Sequence, residues 1–337
     1  MTDLPGLDLE RLCAWWPDHV GTPAGELRAT LIAGGKSNLT YEVTDGAATW
    51  IVRRPPLGHV LATAHDMARE YRVMTALRTT EVPVPETFAL CQDPEVIGAP
   101  FYVMDRVAGT PYREARELAP LGADRVRAIS IRLVDTLAML HQVDPTEVGL
   151  ADFGRAEGFL TRQVARWKKQ LDASHTRDLP AADRLHARLA ASLPPESAPG
   201  IVHGDYRLDN VLIDERDELV AVLDWEMATL GDPLTDLALM VVYQRMGSTA
   251  GALVSDVASA PGYLSEDEVL QQYAAAGGRD LSRFGFYLGL AAFKLAGILE
   301  GIHYRYLHGQ TVGSGFEHIG EAIHPLLAAG LSALDQD

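Results

Sequence analysis

Cysteine is nearly absent from the 337-residue chain, which holds only Cys13 and Cys91. Two are too few for a disulfide framework, and without a neighbouring His/Cys cluster they make no zinc site, so both read as reduced core residues. Positive charge is scarce too: 29 Lys+Arg stand against 46 Asp+Glu, a formal charge of −17. Such a surface repels phosphate backbones and no local basic patch overrides the total, so nucleic acid is not an expected partner. The N-terminus lacks a basic segment followed by an apolar one, which makes the cytoplasm the expected compartment. The single long apolar stretch, Phe284 to Ile302, carries Lys294 and Glu300 towards its end. It is expected to be a buried helix, with no membrane as partner.

What remains is an ordinary globular composition, 47% hydrophobic and 22% charged, long enough for about two domains or lobes. The first hundred residues read as strand, strand, helix, strand, strand. Thr40 to Val43 and Thr49 to Arg53 flank a hairpin signal at Asp45-Gly46. Ala62 to Leu77 has helical spacing, and Thr87 to Cys91 and Phe101 to Val107 follow as strands. Beyond Gly109 the texture is helical, with helices expected over Asp124 to His141, Glu157 to Leu171, Ala181 to Leu193 and from Pro233 onward. Short strands interrupt it at Ile201-Val202, Val211 to Ile213 and Leu219 to Leu223. Gly247 to Gly262 reads as a loop of small residues. The fold class on this reading is α+β.

The sharpest signal is His203-Gly204-Asp205-Tyr206-Arg207-Leu208-Asp209-Asn210, with Asp224 after an intervening strand. From 11 His, 26 Asp and 2 Asn in the chain, chance supplies roughly 0.005 matches to the fixed positions of H-x-D-x-x-x-x-N. Phosphoryl transfer from ATP needs a carboxylate to orient or deprotonate a hydroxyl, and hard oxygen ligands for magnesium. Asp205 suits the first task; Asn210 and Asp224 suit the second. A plain turn closed by His203 and Asp205, with Asp224 as a cap, is the structural alternative.

Upstream, Gly34-Gly35-Lys36-Ser37-Asn38 precedes a strand, where flexible backbone and small polar groups at Gly35, Ser37 and Asn38 could cover nucleotide phosphates. Arg53 on the next strand would contact those phosphates, and Glu70 on the following helix would pair with it. A solvated Glu70 paired with Arg69 or Arg72 is the alternative.

These segments resemble the aminoglycoside phosphotransferase and choline kinase family of the protein-kinase-like fold, over about residues 25 to 325. Within it the chain most resembles the kinase-like domains found with acyl-CoA dehydrogenases, through Val52-Arg53-Arg54-Pro55-Pro56, Arg69-Glu70-Tyr71-Arg72-Val73 and Leu140-His141-Gln142-Val143-Asp144. The resemblance implies a bilobal fold, with a small β-rich lobe over 1–106, a larger helical lobe over 107–337, and ATP between them. It implies a hinge at Met104 to Val107, with Asp105 and Val107 beside adenine. Asp205 would be the base, Asn210 and Asp224 would hold Mg2+, and a small hydroxylated molecule would accept the phosphoryl group. Asp232 and Asp236 would cap a helix start, and His203 would brace the loop.

Two departures from the family pattern stand out. Arg53 occupies the place of the nucleotide-contacting lysine, because none of the four lysines (Lys36, Lys168, Lys169, Lys294) lies on that strand. Trp225-Glu226 follows Asp224, which argues against a protein substrate. For the acceptor, a hydroxy acid or hydroxyacyl thioester with Arg305 as anion partner is the expectation. A nucleotide-binding pseudo-kinase module and an aminoglycoside-resistance kinase are the competing readings.

Overall fold

Five strands in the first third of the chain form one antiparallel sheet, ordered β1-β2-β3-β5-β4. They are β1 (Arg28–Leu31), β2 (Leu39–Thr44), β3 (Thr49–Arg54), β4 (Thr87–Cys91) and β5 (Phe101–Asp105). The structure is a computed structural model that describes every residue except 1–3, 33–37, 59–64, 175, 196, 248–254, 278, 312–315 and 337. The β2–β3 turn forms as expected. Asp45 accepts from the Ala47 and Ala48 amides at 2.8 and 2.7 Å, and Gly46 takes φ +91°, which glycine adopts without steric cost.

Strand alternation sends neighbouring residues to opposite faces of this sheet. Tyr41, Val43, Val52, Phe101 and Val103 pack with Leu12 and Trp16 of helix α1 (Leu9–His19). Ile51, Tyr102 and Met104 pack with Met67, Val73, Met74 and Leu77 of α2 (Met67–Leu77). Neither α1 nor β1 is legible in the sequence. Pro17 lies inside α1 and blurs its helical pattern, and β1 is an edge strand with mostly exposed residues and no alternation. α2 starts later than Ala62 because Asp66 caps it, accepting from the Ala68 and Arg69 amides at 3.0 and 3.1 Å. Trp16 is completely buried. Trp16→Ala is expected to cost about 3–5 kcal/mol, read as a lower urea midpoint; a loss below about 1 kcal/mol would show that α1 is not part of the folded core.

The Asp93–Gly98 turn contains one helical turn, α3 (Pro94–Ile97), capped by Asp93. Beyond the sheet come α4 (Ala115–Leu118), α5 (Ala123–Gln142), α6 (Phe159–Ala173), α7 (Pro180–Ala191), α8 (Leu234–Gly247), α9 (Glu266–Gly277), α10 (Phe284–Leu307) and α11 (Ile323–Ala333). Two antiparallel ribbons interrupt them: β6 (Gly200–Val202) with β9 (Thr229–Gly231), and β7 (Val211–Ile213) with β8 (Leu219–Val222). β9 was not expected, since three residues are too few to show a period. The ribbons carry the H-x-D-x-x-x-x-N segment and Asp224 on the loops between their strands. Part of the Gly247–Gly262 loop lies outside the described residues, and Val257–Ser259 is a 3-10 turn.

α10 is long and apolar enough to cross a membrane by length and composition, but 78% of its most apolar window is buried inside the protein. The two charges within its apolar stretch, Lys294 and Glu300, are satisfied internally. Glu300 accepts from the Thr176 amide and hydroxyl at 2.9 and 2.7 Å and pairs with Arg177 at 3.1 Å. Lys294 donates to the Gly204 carbonyl at 2.8 Å.

Candidate active site

The loop after β6 is held from below by a carboxylate. Asp236, 1% exposed on α8, accepts from the His203 and Gly204 amides at 2.6 and 2.8 Å, with His141 Nε2 at 3.5 Å. Burial works to raise the Asp236 pKa, but His141, His203 and the Gly204 amide outweigh it and hold the carboxyl below its ordinary value. The sequence reading placed Asp236 at a helix cap. Asp232 does that work, accepting from the Leu234 amide at 3.1 Å, while Asp236 sits inside the helix and reaches across to the loop. His203 is the expected brace: Nε2 donates to the Leu223 carbonyl at 2.8 Å, so Nδ1 accepts from the Asp205 amide at 3.2 Å.

Asn210 Nδ2 donates to the Asp205 carbonyl at 2.8 Å and to Asp205 Oδ2 at 3.0 Å. This fixes the Asp205 carboxylate and commits the amide nitrogen, so Asn210 Oδ1 is the side-chain atom left to accept a further contact. The Leu223 amide donates to the Asn210 carbonyl at 2.8 Å, which brings the following residue, Asp224, beside it. Asp224 takes φ +64° and ψ +57°, a left-handed conformation uncommon for a residue with a side chain. Its Oδ1 lies 2.5 Å from Arg53.

Arg53, on β3, therefore links the two parts of the chain. Its Nε lies 3.0 Å from Glu70 Oε2, the partner expected from sequence. Arg69 and Arg72, the alternatives, turn instead to the Phe153 and Ala228 carbonyls and to Asp152. Tyr102 donates to Glu70 at 2.9 Å. Asn38, 3% exposed, donates to Glu70 and to Glu226 at 3.2 Å each, so it joins the carboxylates around Arg53. Burial pushes the Glu70 carboxyl up from 4.5 to about 7, with Arg53 and Tyr102 opposing. Burial also works to depress Arg53, but Tyr102, Glu70, Asp224 and Glu226 reverse that and hold it firmly charged.

Asp105 ends β5 and donates its amide to the Glu86 carbonyl at 2.7 Å; Val107, two residues on, is half-buried. Gly35 and Ser37 lie outside the described residues. Arg305 is exposed near the end of α10, eleven residues or about 16 Å beyond Lys294, so it does not face the loop. Several residues at the loop were missed. Tyr243 hydrogen-bonds to Asp205, and its ring carries the Arg207 guanidinium 4.9 Å from its centroid. Arg207 pairs with Asp209 at 2.6 Å and approaches Asp205 at 3.6 Å. Tyr243 lies seven residues from Asp236, two helical turns along the same face, so spacing could have revealed it. Glu226 contacts His65 at 3.5 Å, which no spacing signals.

Residues 28–287 match the phosphotransferase enzyme family. The chain belongs to that family. It is 36% identical over 332 residues to acyl-CoA dehydrogenase family member 11 of Gallus gallus, covering 96% of this chain and 42% of that protein. The phosphotransferase chain thus spans less than half the length of the curated relative it matches. A solved structure from Ralstonia eutropha, assigned as an aminoglycoside phosphotransferase, is 33% identical with a TM-score of 0.86, each chain covered to 98%. At 15% identity, a thermostable aminoglycoside phosphotransferase solved with AMP-PNP and hygromycin B shares the fold at a TM-score of 0.60, covering 96% of this chain and 98% of that one. The fold is the expected α+β, kinase-like one, and the family consists of phosphotransferases with structural neighbours that act on small molecules.

Proposed function

We propose that this phosphotransferase moves the γ-phosphoryl group of ATP to a hydroxyl of a small molecule, with Mg2+, in the cytoplasm, as one unit whose β-rich lobe ends near residue 106. The observation that carries this is the Asn210–Asp205 hydrogen bond at 3.0 Å together with the Arg53–Asp224 contact at 2.5 Å. On this reading the contacts would bring a base, two hard oxygen donors and a phosphate-binding cation close to one another. Asn210 Oδ1 and Asp224 fit magnesium, which prefers oxygen and keeps water and phosphate in its shell. When bound, the ion would neutralise phosphate charge.

Asp205 would accept the hydroxyl proton as the acceptor oxygen bonds to the γ-phosphorus and the bond to ADP breaks. Asn210 directs that carboxylate, and Arg53, aimed by Glu70, would hold the transferring phosphates. Asp105 and Val107 would border the adenine, and Gly35, Ser37 and Asn38 the phosphate side. The acceptor class favoured is a hydroxy acid or hydroxyacyl thioester. A module that binds nucleotide without turnover is the second reading, favoured by Arg53 standing in the place of the nucleotide-contacting lysine. A coupled ADP-release screen over hydroxy acids, hydroxyacyl thioesters, amino alcohols and aminoglycosides separates the readings: acceptor-dependent release supports transfer, and nucleotide binding without release supports the module.

The Glu70 shift predicts a pH dependence. Below about 7 Glu70 takes up a proton and its ionic contact with Arg53 is lost, so kcat/KM should fall on an acid limb near pH 7. Glu70→Gln should be slow and should lose that limb; an unchanged limb in the variant would assign it to another group. The sign for stability is opposite. A raised folded-state pKa means that the folded form holds the proton more tightly, so this group's contribution falls as pH rises from 4.5 to about 7.

A further inference from the structure

The peptide between Gly204 and Asp205 is gripped at both polar ends. Its carbonyl accepts from Lys294 Nζ of α10 at 2.8 Å, and its amide donates to His203 Nδ1 at 3.2 Å. The groups on either side are held as well: Asp236 accepts from the Gly204 amide at 2.8 Å, and Asn210 donates to the Asp205 carbonyl at 2.8 Å. Gly204 itself lends the loop no stiffness. It takes φ +89°, and a Cβ there would meet the Met227 side chain at 2.8 Å and its backbone oxygen at 3.0 Å. The position therefore admits only glycine, the residue whose backbone turns most readily to another peptide orientation.

Among the holders, Lys294 is the one whose surroundings favour it least. It stands on an apolar helix between Phe293 and Leu295, which are 0% and 3% exposed, where an ammonium loses solvation. Burial depresses the Lys294 pKa against the pull of the Asp205 and Asp236 charges. A methionine would cover the same helix surface without that cost. What the ammonium adds is a charge-assisted donor, directed at one carbonyl, on the peptide that enters the proposed base. Without it that carbonyl has no side-chain donor, and the glycine beside it permits the peptide to flip and take the Asp205 amide away from His203.

We propose that Lys294 is a positioning residue for Asp205: it holds the Gly204–Asp205 peptide against flipping and so aims the carboxylate at the acceptor hydroxyl. The effect on turnover rests on the phosphotransferase reading; the grip on the peptide does not.

The test combines steady-state kinetics, calorimetric titration of ATP and hydrogen exchange at the Asp205 amide, all on the full chain. Lys294→Met should bind ATP within about twofold of the parent and lose at least about tenfold in kcat, with both KM values nearly unchanged, since a small misplacement of a reacting group acts on the chemical step. Exchange at the Asp205 amide should rise at least about tenfold as the peptide loosens. Lys294→Arg keeps charge and donor, and the cavity of ≈ 60 Å³ lined by Lys294 and Gly204 leaves room for its larger head. It should recover most of the lost kcat, whereas a residue that only fills space would rank Met above Arg. Parent-like kcat in Lys294→Met, a loss confined to KM, or an arginine variant no better than the methionine one overturns the proposal. If Lys294→Met does not fold, Lys294→Gln replaces it, and loss of fold in both would make Lys294 a purely structural group and overturn the proposal as well. Faster Asp205 exchange in the variant of a parent that phosphorylates no acceptor would support the grip and count against the transfer reaction.

Discussion

Asp205→Ala is expected to lower phosphoryl transfer by about 10²–10⁴-fold while nucleotide affinity changes little. In the proposed reaction the Asp205 carboxylate takes the acceptor's proton, and Asn210 holds that carboxylate by a 3.0 Å hydrogen bond. The cation and oxygen donors assigned to the nucleotide, Arg53, Asn210 and Asp224, are separate side chains, so truncating the base leaves them in place. Loss of chemistry with retained binding is the signature of an interaction made in the transition state alone. Rapid-quench turnover measured beside calorimetric titration of ATP checks it. Turnover in the variant within a few-fold of the parent would remove Asp205 as the base.

Asp236→Ala is expected to destabilise the fold by about 3–5 kcal/mol. Its carboxylate is 1% exposed and satisfies the amides of His203 and Gly204 at 2.6 and 2.8 Å. Truncation strands both amides and leaves His141, completely enclosed, without its acid partner. Burial holds the His141 pKa below its ordinary value, so this histidine cannot recover by taking charge in the interior. The damage falls on the residues immediately before Asp205, so any folded fraction should also turn over slowly. Asp236→Asn, which keeps one acceptor oxygen, should recover part of the stability. Urea unfolding of both variants decides; a loss below about 1 kcal/mol for alanine would show that the loop does not depend on Asp236.

The sequence disclosed what is written locally. The β2–β3 hairpin, α5 and the 203–210 loop follow from turn chemistry, helical spacing and a rare asparagine, each visible within a few residues. The Arg53–Glu70 pair was legible because a strand followed by a helix with one inward acid constrains both partners. α1 was not, since its reason for folding is Trp16 packing against Trp50 and Trp15 against Phe101, contacts distant in sequence. Asp236 was assigned a cap because nothing in the sequence says that its carboxylate turns away from its own helix towards residues 203 and 204. Arg305 drew attention as a cation within an aromatic cluster, whereas Lys294, hidden in an apolar run, reaches the loop. In each case a contact across the fold outweighed the local pattern.

The most direct measurement is transfer of labelled phosphate from [γ-³²P]ATP to a hydroxylated acceptor, in the presence and absence of magnesium, by the parent chain and by Asp205→Ala. The account predicts a phosphorylated small-molecule product that requires magnesium and disappears in the variant. ATP that binds saturably but yields neither labelled product nor free phosphate, across the whole acceptor panel, would contradict it.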